Sequence, residues 1–196
     1  GLKMFAQAWN TGSDVSDWMS EAGTFEIESN ISMAGITDWK SIGTEEHPFT
    51  GVFDGKYREI QGLGSSYPLF GICEGAVLQN VTIAENSSFS RSGEYADKEY
   101  TLVPLAAKLT DCTVSECINK ADVTLEASNR LIDDIFIYTG GLLGEVSGST
   151  EVVNCENYGK VTITKDVFTS YQKATLAHGG IVAFNDGSTV RGCANN

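Results

Sequence analysis

Short apolar runs separated by Gly, Ser and Asn recur along the chain. The clearest stretch is 140–164, GGLLGEVSGSTEVVNCENYGKVTIT, with runs at 141–146, 151–155 and 160–163. The same pattern stands at 67–83 (YPLFGICEGAVLQNVTI), 103–125 (VPLAAKLTDCTVSECINKADVTL) and 179–196 (GGIVAFNDGSTVRGCANN). Each copy reads as three short strands joined by tight turns, and a repeat of this length means a stacked architecture. Cys117, Cys155 and Cys193 recur every 38 residues, each followed two positions on by Asn119, Asn157 or Asn195. In the first copy Asn80 takes the cysteine position, which puts Val77, Val114, Val152 and Val190 in one column. Leu69, Leu105, Leu142 and Ile181 form a second column; Gly71, Ala107, Gly144 and Ala183 form a third.

One such strand cannot bury its apolar face alone. Stacking the copies about 4.8 Å apart pairs each strand in parallel with its neighbour and piles equivalent residues into ladders. Apolar ladders fill a narrow core, and a column restricted to Gly and Ala marks a bend or a close contact. The fold predicted is therefore all-β: a right-handed parallel β-helix, a solenoid, over 24–196. Residues 1–23 form its N-terminal helical cap. Leu2, Phe5, Ala6 and Trp9 share one side of a helix over 2–10, which Gly12 stops. A second helical turn is expected within 13–23, with Ser13 or Asp14 as N-cap and Gly23 past its end. A solenoid needs such a cover, because an open end exposes core and unpaired strand edges. In 24–33, Phe25 and Ile27, then Ile31 and Met33, alternate with polar residues as a strand pair, and Asp54-Gly55 signals a turn.

The chain also carries Trp39-x-x-Ile42-Gly43, then Phe49-x-Gly51-x-Phe53-Asp54-Gly55, Ile60-x-Gly62-Leu63 and Leu69-Phe70-Gly71. Gly141-Leu142-Leu143-Gly144 follows, and later Asn154-Cys155-x-Asn157-x-Gly159-x-Val161. This succession resembles bacterial β-helix proteins with GLUG repeats, over nearly the whole chain from about Thr24. The resemblance implies a secreted or surface-attached, adhesin-like protein and names no ligand. Two departures stand out. Val103-Pro104-Leu105-Ala106-Ala107 replaces the glycine-led run, and Ala121 stands where Gly159 does, so that turn has no need of positive φ. The last copy stops at Asn195-Asn196, before its third strand. It reads as a segment of a longer protein, or one whose next rung lies elsewhere.

Composition narrows the function. The formal charge of −13 disfavours nucleic acid and anionic membranes as partners, and no apolar run spans a bilayer. Phosphate-loop, dinucleotide and G-x-S-x-G motifs are absent. The ladder cysteines read as small inward apolar residues, and the ladder asparagines as turn-binding stacks. Cys73 and Cys112 flank equivalent turns, where they could meet. Cys112 and Cys117 lack the CxxC spacing and a nearby His, so they form no zinc set, and His47 and His178 are isolated. No metal or cofactor is expected. A glycosidase needs two carboxyls facing one sugar. Glu45-Glu46 and Asp133-Asp134 are adjacent in loops, and the positions Gln79, Ser115, Glu116 and Arg191 supply no lyase set.

Three insertions, 84–100, 126–139 and 164–178, leave the same corner of successive copies, so they emerge side by side. Long insertions in a compact fold are commonly functional or disordered. Their aromatics, Phe89, Tyr95, Tyr100, Phe136, Tyr138, Phe168 and Tyr171, suit sugar rings or a host or cell-surface protein, with Asp133, Asp134 and Asp166 as polar contacts. The competing reading is that the rings only pin the loops to the solenoid. The function expected is a non-catalytic extracellular or cell-surface binding module. A polysaccharide lyase or glycoside hydrolase with active rungs elsewhere and a structural spacer are the alternatives.

Overall fold

The computed structural model describes residues 1–95, 99–131, 135–165 and 174–196, leaving aside the side chains of 92–95, 127–131, 135, 165 and 174. It is a parallel β-helix. Three stacks of short strands form the body, and in all three every named strand pairs in parallel. One six-stranded stack holds Thr24–Glu26, Val52–Asp54, Val77–Gln79, Thr113–Ser115, Glu151–Val153 and Thr189–Arg191. A second holds Ile31–Ser32, Glu59–Gln61, Thr82–Ile83, Ile118–Asn119, Glu156–Asn157 and Ala194–Asn195. A third holds Phe70–Glu74, Ala106–Thr110, Leu143–Ser147 and Val182–Asp186.

The register makes the ladders explicit. Phe25, Phe53, Leu78, Val114, Val152 and Val190 pile in one column, and the Phe25 and Phe53 rings stack at 4.7 Å. That column corrects the alignment of the first copy. Leu78, not Val77, pairs with Val114, and Val81, not Asn80, lies below Cys117. The slip of one residue turns a side chain to the other face. Leu78 and Val81 are accordingly buried, whereas Asn80 sits in a turn at φ 55°. Asn80, Glu116, Asn154 and Gly192 share that turn position, and all four have positive φ.

Cys117, Cys155 and Cys193 lie in one column. Each thiol donates to the carbonyl two residues before it, at 3.3, 3.4 and 3.5 Å. The asparagine column is a hydrogen-bonded ladder. Asn119 Nδ2 donates to Asn157 Oδ1 and Asn157 Nδ2 to Asn195 Oδ1, both at 2.8 Å, and each amide also binds its own turn backbone. Gly159 has no positive φ; a Cβ there would meet the Ala121 carbonyl at 1.8 Å, so the glycine makes room for the rung below. At Gly55 a Cβ would meet the Asn80 carbonyl at 2.3 Å, so that glycine makes room for the rung above, and the left-handed residues of its turn are Lys56 and Tyr57.

The helix Leu2–Asn10 closes the first rung with Leu2, Phe5 and Ala6. Phe5 packs against Phe25 at 4.3 Å, and Trp9 against Phe49 at 4.6 Å. The second turn is a single 3-10 turn, Ser16–Trp18. Val15 occupies its N-cap position, and Asp14 accepts the Ser16 N–H at 2.9 Å instead of capping the turn.

The insertions differ from expectation. Among the described residues they are long strand legs, not loops, and the inward residues of those legs, Phe89, Leu102, Val123, Leu125 and Ile137 among them, belong to the core. Outgoing legs Ser88–Tyr95, Asp122–Leu131 and Val161–Lys165 pair in parallel with one another above Gly64–Ser65. Returning legs Glu99–Leu102, Ile135–Gly140 and Ala174–Gly179 form a separate parallel sheet. Insertions at equivalent positions of successive rungs offer one another complete strand edges, so their backbone groups pair across rungs. The result is a two-sheet flange whose inward residues are continuous with the solenoid core.

Candidate functional site

The returning legs alternate. Tyr100, Leu102, Ile137 and Thr139 are buried, while Glu99, Thr101, Phe136 and Tyr138 point the other way. That second row faces the outward side of the third body stack. Where flange and body meet, a groove runs along the solenoid axis. Its floor includes Gly71 and Ala107, and its walls include Glu99 and Thr101 from the flange and Ile72 and Lys108 from the body.

The small-residue column now has a physical reason. A Cβ on Gly144 would meet Thr101 Cγ2 at 2.5 Å and the Ala107 carbonyl at 2.3 Å. The last glycine of Gly141-Leu142-Leu143-Gly144 is what lets the flange close on the body.

Further up the axis Tyr138 and Phe184 approach across the angle, with ring centroids 5.9 Å apart. Lys108 and Glu145 pair at 3.8 Å on adjacent rungs. Partial burial, then the charges of Glu99 and Glu145, raise the Tyr138 phenol above its ordinary pKa, so it stays neutral at physiological pH and available as a donor. At the lower end the groove deepens into a cavity of about 700 Å³ lined by Lys40, Tyr67, Arg91 and Tyr100 among others.

The candidate residues separate as follows. Phe89 is fully buried, in register with Val123 and Val161, and belongs to the core. Tyr100 is also buried, its hydroxyl donating to the Ser66 carbonyl at 3.2 Å, so it positions the flange instead of presenting a face. Tyr138 is half-buried and lies along the groove. Tyr95 ends an outgoing leg, and its side chain lies outside the described residues, as do Asp133, Asp134, Asp166, Phe168 and Tyr171 altogether. Sequence reasoning missed Phe184, Lys108, Glu145, Lys40 and Tyr67. Phe184 was visible as an apolar residue beside the small-residue column, but its partner is set by how the flange folds back.

All five cysteines are free thiols. Burial, then the nearby Cys112, pushes the Cys73 thiol well up. Among the described residues no group of His, Cys, Asp and Glu is arranged to hold a metal, and no helix is long and apolar enough to cross a membrane. Fold and groove define a parallel β-helix with a flanged cleft. No protein-family model, curated protein or solved structure matches the chain.

Proposed function

We propose that the chain is a non-catalytic binding module, secreted or displayed at a cell surface as the GLUG-repeat resemblance implies, which holds a glycan strand in the groove between flange and body. The observation that carries this reading is the pairing of Tyr138 and Phe184 at 5.9 Å beside the Lys108–Glu145 pair. Aromatic faces suit the apolar side of a sugar ring, and flanking polar groups suit its hydroxyls. The groove follows the axis, so a polymer laid in it meets equivalent positions rung after rung.

The test is a glycan array with the intact protein, followed by calorimetry on any hit. Tyr138→Ala is expected to weaken binding about tenfold while leaving the melting temperature nearly unchanged. Equal loss of both would make the ring structural. An array negative for every glycan would favour a spacer. The same glycans are assayed for new reducing ends or unsaturated products. Turnover abolished by Glu99→Gln or Glu145→Gln would overturn the non-catalytic reading.

A further inference from the structure

The first strand of the second stack lies at the edge of its sheet. Ile31–Ser32 pairs on one side with Glu59–Gln61, and its other edge carries no strand among the described residues. The segment around it is pinned at both ends. The Ile27 N–H donates to the Asp54 carbonyl at 3.0 Å, and the Met33 N–H to the Gln61 carbonyl at 2.7 Å. Ile27 and Met33 are buried, and between them Glu28, Ser29, Asn30 and Ser32 are exposed.

Within that run Asn30-Ile31-Ser32 has the N-x-S pattern of an N-glycosylation acceptor. Asn80-Val81-Thr82 and Asn86-Ser87-Ser88 have the same pattern, and the fold separates the three. Asn80 Nδ2 donates to Asp54 Oδ1 at 2.9 Å, its backbone turns at φ 55°, and Thr82 is buried. Asn86 is followed by the buried Ser87, whose Oγ accepts the Leu63 N–H at 3.1 Å and holds that triplet on the body. Asn30 is free of both restraints. Its Oδ1 accepts the Glu59 N–H at 3.0 Å. A backbone N–H can only donate, so the oxygen faces it and Nδ2 is turned outward. Glu28 adds a carboxylate two residues before the asparagine, the extension that acceptors of bacterial N-glycosylation carry. Leu78 and Ala84 hold the corresponding positions of the other two triplets.

We propose that Asn30 is a glycosylation site, modified on its side-chain nitrogen by an oligosaccharide delivered on a polyprenyl pyrophosphate. Nδ2 attacks the anomeric carbon of the first sugar. The new C–N bond forms as the C–O bond to the pyrophosphate breaks. Polyprenyl pyrophosphate leaves, and one amide proton passes to a base of the transferase. The Oδ1 bond to Glu59 is untouched, so the fold accommodates the product. Round each rung the chain passes from the third stack to the first, the second, the outgoing leg and the returning leg. Asn30 stands at the corner between first and second stacks, and the groove lies between returning leg and third stack. A glycan on Asn30 therefore leaves the groove open, and the proposal is independent of what the groove holds.

The experiment incubates the intact, folded chain with a purified bacterial oligosaccharyltransferase and a polyprenyl-pyrophosphate oligosaccharide. Intact mass and peptide mapping read the product. A single glycan on Asn30 is expected, with Asn80 and Asn86 unmodified. Ser32→Ala leaves the Asn30 amide in place and should abolish the modification, and Ser32→Thr should restore it. Glu28→Gln should remove most of it. All three positions are exposed, so the melting temperature of each variant should match that of the unaltered chain. A free peptide spanning 26–34 is run beside the protein, and a standard acceptor peptide confirms that the transferase is active. An unmodified chain beside a modified 26–34 peptide shows that the fold withholds Asn30 and overturns the proposal. An unmodified 26–34 peptide overturns it as well, as does a glycan on Asn80 or Asn86 in place of Asn30.

Discussion

Asn157 is the best-connected polar side chain of the core. Its amide nitrogen donates to Asn195 Oδ1 and the Gly159 carbonyl, and its oxygen accepts from Asn119 and the Gly159 N–H. A buried amide is tolerated only because these bonds replace water. Asn157→Ala should cost about 2–4 kcal/mol, since it strands polar groups above and below it. Asn195→Ala, on the exposed last rung, should cost about 1 kcal/mol or less. Urea denaturation of the two variants checks the contrast, and equal losses would contradict the ladder. Asp54 is another buried polar anchor. Desolvation raises its pKa, but hydrogen bonds from Asn80, the Lys56 N–H and Gln79 outweigh that and hold it below the ordinary 3.8. A depressed carboxylate contributes stability that is present above 3.8 and is lost as pH falls through the folded value. The stability gap between the unaltered protein and Asp54→Asn should therefore narrow below about pH 4. A gap constant from pH 7 to pH 3 would show that Asp54 acts by shape alone.

The flange is the element that the pattern of runs did not disclose. SFSRSGEY, EYTL and IFIYTG carry the alternation and aromatic content of strands, but isolated legs have no core of their own. Only an equivalent leg on the next rung gives them partners, and that neighbour is 34–39 residues away in sequence. The glycine column holds flange to body. Gly144→Val would drive a branched side chain into Thr101 and the Ala107 carbonyl. It should destabilise by about 2 kcal/mol or more. It should also release protection of the returning-leg amides in hydrogen exchange ahead of the body strands. Uniform loss of protection everywhere would mean that flange and body unfold as one unit. The groove exists only because of this closure, so Gly144→Val should also weaken any glycan the unaltered protein binds.

At the scale of the molecule, each rung contacts mainly its neighbours, and stability is close to a sum of rung and interface contributions. The N-terminal end is closed by an aromatic cluster in which Phe5 touches Phe25, Phe49, Trp9 and Trp18. Phe5→Ala should cost about 3–5 kcal/mol, and the loss should begin at this end. Limited proteolysis is expected to cut first near 11–23, while the rungs beyond Phe70 stay protected. First cleavage among the later rungs would argue against a cap role. The opposite face is open among the described residues: Val190 is 40 % exposed, whereas Val152 in the same column is fully buried.

The stacking register was legible in the chain because a solenoid repeats one environment. Cys117, Cys155 and Cys193 must hold the same kind of residue if they hold the same place, as must Asn119, Asn157 and Asn195, and composition at a fixed spacing records that. The cap helix was legible because its apolar side has helical spacing and a glycine stop. The first copy was misaligned because Val77 and Leu78 are both apolar, and a strand period of two cannot say which faces inward without a partner. What tertiary structure alone decided is the groove. Phe184 and Tyr138 lie on different elements, Lys40 and Arg91 on different rungs, and Asn10 on the cap. Their meeting depends on the angle at which the legs fold back over the glycine column. That angle is set by packing between segments distant in sequence, and no local pattern of residues encodes it.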